Sequence, residues 1–442
     1  MRAFIIVSAL ILMVTQLPAE DLFTFPIHET KLPNGFTVIA VPMDTPGILA
    51  YYTVVRTGSR NEPEKGKTGF AHFFEHMMFR GTDRFPEQAY NQILKEMGAD
   101  SNAYTSDDET VYHITGSSDY LETLMDIESD RFQNLKYAEE EFKKEAGAVL
   151  GEYRKSQANP FLSLYEAMLG TAYTTHTYRH TTMGFFDDIL DMPNQYDHSI
   201  DFFRRYYRPE NCILIVAGDV QPETVVSLAK KYYGPWKKGY DPKPVPEEPV
   251  QKEERRTTVD WDLPTNPYLF IGYHCPVFDP ADPRSASLAV ISELLFASNA
   301  PLYQELVVEK QQVEFVSAWS GMQRDPGLFS VITRLHDASN LEAVENRIRT
   351  SLENLAKDGV DAADLKKVKS YLRYDFAGGL TTPDAVASAL VRFIVPTGSW
   401  KSLNTYYKTL DHLSTAEVIK TAGDIFKATN CTIVTLKERS TP

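Results

Sequence analysis

Apolar and polar positions along this chain fall into blocks that switch between a strand period and a helix period. Residues 48–56, Ile48-Leu49-Ala50-Tyr51-Tyr52-Thr53-Val54-Val55-Arg56, are almost unbroken in their apolar character and predict a buried strand. Just before them, Leu32-Pro33-Asn34-Gly35-Phe36 places an Asn-Gly turn between two apolar stretches, the signature of a β-hairpin. Residues 68–81 contain no proline; Thr68 is a suitable N-cap and Gly81 a suitable stop, so a helix of about three turns is expected. A short helix should open at Pro86 and close at Gly98, followed by a strand at 110–114 and a helix over 138–157. A helix through Tyr206-Tyr207, an apolar strand beginning Cys212-Ile213-Leu214-Ile215 and a helix near Pro222 complete the first half.

Residues 234–256 carry five prolines, many charges and few apolar side chains, the composition of a linker. Beyond them the order repeats: two strands in 256–274, a helix over 282–296, two strands in 313–335, several helices and a last strand. That strand, Asn430-Cys431-Thr432-Ile433-Val434, echoes Asn211-Cys212-Ile213-Leu214-Ile215. The pattern predicts an α+β fold of two duplicated domains, 26–233 and 257–440, each a mostly antiparallel sheet packed with helices.

Composition narrows the setting. A chain of 442 residues with 43% apolar content can fill two cores. A net charge of −15 argues against nucleic acid as a partner, since phosphate backbones call for basic patches. Met1-Arg2, an apolar run over 3–14 and Leu17-Pro18-Ala19 have the form of a secretory leader, residues 1–19, cut after Ala19. About 12 apolar residues are too few to span a bilayer, so no stable membrane anchor is expected after cleavage, and the chain should be periplasmic or secreted. Three cysteines, Cys212, Cys275 and Cys431, allow at most one disulfide and cannot build a disulfide scaffold. Cys275 follows His274, but neither has a further ligand at metal spacing.

The chemistry concentrates in His72-Phe73-Phe74-Glu75-His76. At about 100° per residue, His72, Glu75 and His76 occupy roughly one 100° arc of a helix. Two imidazoles one turn apart can share a metal ion, and a carboxylate beside them can deprotonate water. His-x-x-Glu-His is the inverted order of a zinc-peptidase motif. The bland alternative is a pair of histidines hydrogen-bonded in a core, but a buried Glu between them would need partners of its own. On the 138–157 helix, Glu141, Glu145 and Glu152 share a face. Glu145 and Glu152 are about 10 Å apart along the axis, so only one of them can come within ~2 Å of a metal held by the histidines.

With Gly58-Ser59-Arg60-Asn61-Glu62-Pro63 before it and Met78-Phe79-Arg80-Gly81-Thr82 after it, this region resembles the pitrilysin–insulinase family of zinc metallopeptidases, in its short processing-peptidase-like branch. The likeness runs from about residue 27 to the C-terminus. It implies one Zn2+ per chain held by His72, His76 and Glu152, Glu75 as the base, and Glu145 as a supporting acid, with Glu141 left on a solvated face. It implies also that Asn102-Ala103-Tyr104-Thr105 is an edge strand pairing with substrate backbone, and that His176 and Tyr178 help to shape the cleft. Relatives usually carry proline where Thr177 stands, whereas Gly184 matches. The second-half helix Ser285-Ala286-Ser287-Leu288-Ala289-Val290-Ile291-Ser292-Glu293-Leu294 has no histidine, so the metal site is not repeated.

The resemblance implies an endopeptidase for extended peptides or unfolded segments, enclosed by two such chains. Many relatives use an Arg and a Tyr seven positions apart to hold the scissile carbonyl. The aligned residues here are Val307 and Glu314, neither able to donate; Arg373, Tyr374 and Arg392 are nearby substitutes by sequence alone. A homodimer or a heterodimer with a zinc-free paralogue is therefore expected, with the mixed pair favoured because it can supply the missing clamp. Two competing readings are a non-cleaving peptide-binding subunit and a lyase built on the same two-His helix, like the small S-ribosylhomocysteine lyase. Intact Glu75 and Glu152 disfavour the first; chain length, leader and duplicated second half disfavour the other.

Overall fold

The computed structural model describes residues 21–439; the leader expected at 1–19 lies outside the described residues. Six strands form the first sheet: β1 (His28–Lys31), β2 (Thr37–Pro42), β3 (Ile48–Val55), β4 (Asp100–Thr105), β5 (Thr110–Ser117) and β6 (Cys212–Gly218). Their order is β1-β2-β6-β3-β5-β4. Five more form the second: β7 (Arg255–Trp261), β8 (Tyr268–His274), β9 (Val313–Ser320), β10 (Leu328–Leu335) and β11 (Cys431–Glu438), ordered β7-β11-β8-β10-β9. With β1 set aside, the two orders coincide strand for strand. Each sheet has a single parallel pair, β2 with β6 and β7 with β11, and is otherwise antiparallel. The duplication suggested by the repeated Asn-Cys strands is thus a duplication of topology.

The apolar run of β3 follows from its place inside the sheet. Leu49, Tyr51 and Val55 face a core under the helix Phe70–Met77, while Ala50, Tyr52 and Val54 face the second domain. Both faces are covered, so the usual alternation disappears. The opposite cover comes from the helix Pro383–Thr397, whose Val386, Leu390 and Phe393 share one hydrophobic cluster with Tyr52 and Ile215. Polar contacts tie the same interface: Tyr52 Oη donates to Asp384 Oδ1 (2.6 Å), Arg56 Nη2 to the Val395 carbonyl (3.0 Å), and the Arg324 amide to Asp108 Oδ2 (2.9 Å). Between the helix Pro222–Tyr233 and β7 there is no helix or strand, as the proline-rich composition predicts. All three cysteines are free and buried.

Candidate metal centre

The helix carrying the two histidines runs Phe70–Met77 and tightens into a 3-10 turn at Met78–Arg80. Its buried face is aromatic: Phe74 stacks on Phe202 (5.5 Å between centroids) and Phe73 meets Phe142 (5.0 Å). Gly81, at φ +89°, ends it as expected, but the start differs from the sequence expectation. Gly69, not Thr68, is the N-cap residue, at φ +90°. A β-carbon at Gly69 would lie 2.4 Å from Ile189 Cδ1, and one at Gly184 would lie 2.7 Å from the Gly69 nitrogen, so both positions require glycine. The free N–H groups are taken by a distant carboxylate: Gly69 N donates to Glu62 Oε2 (2.7 Å) and Ala71 N to Glu62 Oε1 (2.6 Å). Burial pushes the Glu62 carboxyl up to about 8 despite those amides. Thr68 instead bonds Asp188 through Oγ1 (2.6 Å).

The opposite face of this helix carries His72, Glu75 and His76 toward the helix Glu139–Ser156. One ligand-capable atom each from His72, His76 and Glu152 lie within 4.8 Å of one another. Glu152 Oε2 is 3.7 Å from His72 Nε2 and 3.4 Å from His76 Nε2. Donors at ~2.0–2.1 Å around a tetrahedral ion are spaced by roughly 3.4 Å, so two imidazoles and a carboxylate at these separations suit zinc. Glu145 is engaged elsewhere: its Oε1 is 3.0 Å from His76 Nδ1, and its Oε2 accepts from Arg80 Nε (2.8 Å) and Nη2. Arg80 Nη1 reaches Glu87 (2.9 Å). Burial pushes the Glu145 carboxyl up, but the hydrogen bonds from His76 and Arg80 outweigh it and leave it below its ordinary value. Burial, with His76 beside it, lowers the His72 imidazole and favours the neutral form that a metal needs. His72 Nδ1 is buried with no hydrogen-bond partner among the described residues.

β4 is one of the two edge strands of its sheet, and its Thr105 reaches this cluster. Thr105 Oγ1 donates to Glu75 Oε2 (2.7 Å). Asn102 and Ala103 line a hollow of about 300 Å³ together with Glu75, His76 and Glu145. Tyr104, next along the strand, lines a different cavity between the domains. His176 and Tyr178 lie in the domain interface, and Tyr178 lines the same cavity as Tyr104. His176 Nε2 is 2.9 Å from Asp325 Oδ2, the Tyr178 amide donates to His176 Nδ1 (3.0 Å), and Tyr178 Oη donates to Asp108 (2.9 Å). Glu141 caps its own helix by accepting from the Ala138 amide (2.8 Å).

Sequence reasoning named these stretches but missed the Glu62 bonds to the helix start, the Arg80 bond to Glu145 and the Thr105 bond to Glu75. Arg80 is one helical turn beyond His76, a spacing that could have flagged it. Glu62 left no local signal, being seven residues ahead of Gly69. Of the candidates for a carbonyl clamp, Arg373 pairs with Asp411, Tyr374 is 79% exposed, and Arg392 lines the interdomain cavity.

Comparison with known proteins gives the family. Residues 48–184 match the family model described as Insulinase (Peptidase family M16), and residues 195–372 match the one described as the Peptidase M16 inactive domain. The zinc protease PqqE of Helicobacter pylori is 31% identical over 420 residues, covering 93% of each chain. The crystal structure of a protease from Helicobacter pylori superposes with a TM-score of 0.88 at 30% identity, covering 94% of this chain and 100% of that one. The mitochondrial-processing peptidase subunit beta of Bos taurus is 32% identical over 224 residues, 50% of this chain and 44% of that protein. This chain belongs to peptidase family M16, the insulinase family.

Proposed function

We propose that the chain is an exported zinc endopeptidase that cleaves extended peptides or unfolded protein segments. The observation that carries this reading is the convergence of His72 Nε2, His76 Nε2 and Glu152 Oε2 beside Glu75, at the margin of an exposed sheet edge. His72, His76 and Glu152 would hold one Zn2+. Zinc bound there supplies positive charge that acidifies water and polarises a peptide carbonyl. Glu75, steadied by Thr105, takes the proton of the attacking water and returns it to the departing amine. Glu145 and Arg80 orient the His76 ring. The unpaired edge of β4 binds substrate through main-chain hydrogen bonds, which explains a preference for extended chains over any particular sequence.

The reading includes a second chain. The second-domain helix Pro283–Phe296, counterpart of the histidine helix, carries no histidine, and the relative named as subunit beta is by its name one part of an assembly. Export rests on the composition of residues 1–19. The test pairs metal content with cleavage of a quenched, unstructured peptide, for the wild type and Glu75→Gln. The variant should keep its zinc and lose hydrolysis by about 10²–10⁴-fold. Wild-type turnover by a metal-loaded Glu75→Gln chain would sink the mechanism, and a wild type with neither zinc nor turnover would favour a non-cleaving peptide-binding subunit.

A further inference from the structure

We propose that the cavity behind the start of the Phe70–Met77 helix is a binding site for a short unblocked peptide, held by its free amino terminus. Peptides of this class are what the proposed hydrolysis releases, but the site stands on its own geometry, and its test reads binding and not cleavage.

The cavity is built from the first domain and the linker. It shares no residue with the hollow at the histidine pair or with the cavity between the domains. Its volume, about 470 Å³, lies within the range of roughly 300–1,000 Å³ found for ligand pockets. One wall is Glu62, whose carboxylate holds the Gly69 and Ala71 amides. An occupant therefore lies against the start of the helix that carries His72.

Its buried wall is rich in acceptors. His180 lines the cavity at 3% exposure, with Nδ1 3.0 Å from the Thr181 carbonyl. A carbonyl only accepts, so Nδ1 carries the proton; burial lowers the imidazole to about 4 and keeps the ring neutral. Nε2 is then a bare lone pair, buried with no hydrogen-bond partner among the described residues. An unsatisfied acceptor in a protein interior is rare and marks a missing donor. Near it, Asp188 spends Oδ2 on the Thr68 amide (3.2 Å) and hydroxyl (2.6 Å), while its Oδ1 accepts nothing among the described residues. Glu64 pairs with Arg205 (3.1 Å), whereas Glu62 and Asp188 have no cationic partner within 4.0 Å among the described residues. Burial pushes Glu62 up to about 8, and a cation beside it would favour the charged form. A lone pair and two carboxylates call for a positive group with several N–H donors, which an ammonium supplies. A metal ion fits less well: among the described residues only His72, His76 and Glu152 bring three ligand atoms within 4.8 Å of one another.

The exposed part of the lining has the other sign. Lys65 forms no ion pair among the described residues, and the Arg179 guanidinium stands over the Phe185 ring at 5.4 Å with only a long bond to the Thr174 carbonyl (3.4 Å). Asp187 is exposed there too. Lys65 and Arg179 attract a carboxylate and repel a second cation, which separates a zwitterion from a diamine. Phe185, Pro63 and Pro246 give the same cavity apolar surface for a side chain. An ammonium at the buried wall, a carboxylate toward solvent and an apolar body describe a short peptide with both ends free.

The test is isothermal titration calorimetry of the full chain near pH 7 with the dipeptide Ala-Leu, its N-acetyl form and its C-terminal amide. Ala-Leu should bind, the N-acetyl form should bind at least about tenfold more weakly, and the amide about threefold more weakly. His180→Phe, which removes the acceptor and keeps a ring, and Asp188→Asn should each weaken Ala-Leu by about tenfold, with thermal melts showing that each is folded. Lys65→Ala, at an exposed position, decides the matter even if neither of those folds: it should bring Ala-Leu and its amide to within about 1.5-fold of each other. No binding of Ala-Leu at about 10 mM, or equal affinity for the N-acetyl form, overturns the site. So do an Ala-Leu affinity and an amide difference unchanged in every folded variant, which would put the peptide elsewhere on the chain. Absence of zinc and turnover in the wild type counts against the peptidase reading alone.

Discussion

His76 Nδ1 lies 3.0 Å from Glu145 Oε1, a link between residues 69 positions apart that turns the other ring nitrogen toward Glu152. Glu145 and Glu152, both on the Glu139–Ser156 helix, thus meet different nitrogens of one imidazole. Their substitutions should separate. Glu145→Gln keeps the donor set and loses only the support of the ring, so zinc affinity should fall 10–100-fold while one ion per chain still binds. Glu152→Gln replaces a ligand with a weaker neutral one and should abolish stoichiometric zinc at micromolar metal. Competition with a chromogenic chelator measures both. Stoichiometric zinc in Glu152→Gln, with loss in Glu145→Gln, would reverse the two roles.

The sequence revealed those parts of the centre that depend on local spacing. His72, Glu75 and His76 fall on one helical arc because the helix period is fixed, and Gly81 marks the stop because a left-handed residue is needed there. The choice of Glu152 over Glu145 came through the family resemblance, since spacing alone left both possible. Thr68 looked like the cap because serine-like residues usually are, yet Glu62 reaches two amides from outside the helix and the tight Gly69–Gly184 contact fixes the entry. Pairings across the domains left no trace at all. Arg60 and Asp325 are 265 residues apart, and nothing local to either marks the other.

That pair joins the domains. Arg60 Nε is 2.5 Å from Asp325 Oδ2, which also lies 2.9 Å from His176 Nε2. Burial pushes the Asp325 carboxyl up, but hydrogen bonds from His176 and Arg60 outweigh it and hold the group well below the usual carboxylate range. A depressed folded value contributes stability above the ordinary carboxylate pKa of about 3.9, and loses it as pH falls through the depressed one. Asp325→Asn should cost about 2 kcal/mol near pH 7 and lower the melting temperature by a few degrees. The difference from wild type should shrink as pH drops below about 4. Melts between pH 2 and 7 check this; a difference that grows toward acid pH would contradict the sign.

The cysteines make a separate test of the fold. Cys212, Cys275 and Cys431 are 1%, 5% and 0% exposed, and burial raises all three thiols, the last two to about 12. The thiolate is the reactive form, so both access and ionisation protect them. Native protein should take up no iodoacetamide at pH 8 within an hour, and denatured protein should take up three equivalents by mass. Rapid labelling of one cysteine in the native chain would place that segment outside the core.

Assembly follows from what the second domain lacks. Val307 sits in the π-helical turn Gln304–Glu309, and Glu314, on β9, accepts from Asn266 Nδ2 (2.6 Å) and Arg334 Nη1 (3.2 Å). Neither side chain can donate to a scissile carbonyl, where the family resemblance implied an Arg and a Tyr. Donors aimed at a developing oxyanion are commonly worth 10²–10³-fold in rate. On the proposed reading, a homodimer would duplicate the His72–His76–Glu152 centre and bring no such pair, whereas a zinc-free paralogue would bring the pair to it. The purified chain alone should therefore hydrolyse a quenched unstructured peptide about 10²-fold more slowly than a mixture with such a paralogue. Mass in solution, measured alongside, should show a heterodimer in the active mixture. Full activity as a monomer would remove the need for any partner, and full activity as a homodimer would exclude the mixed pair.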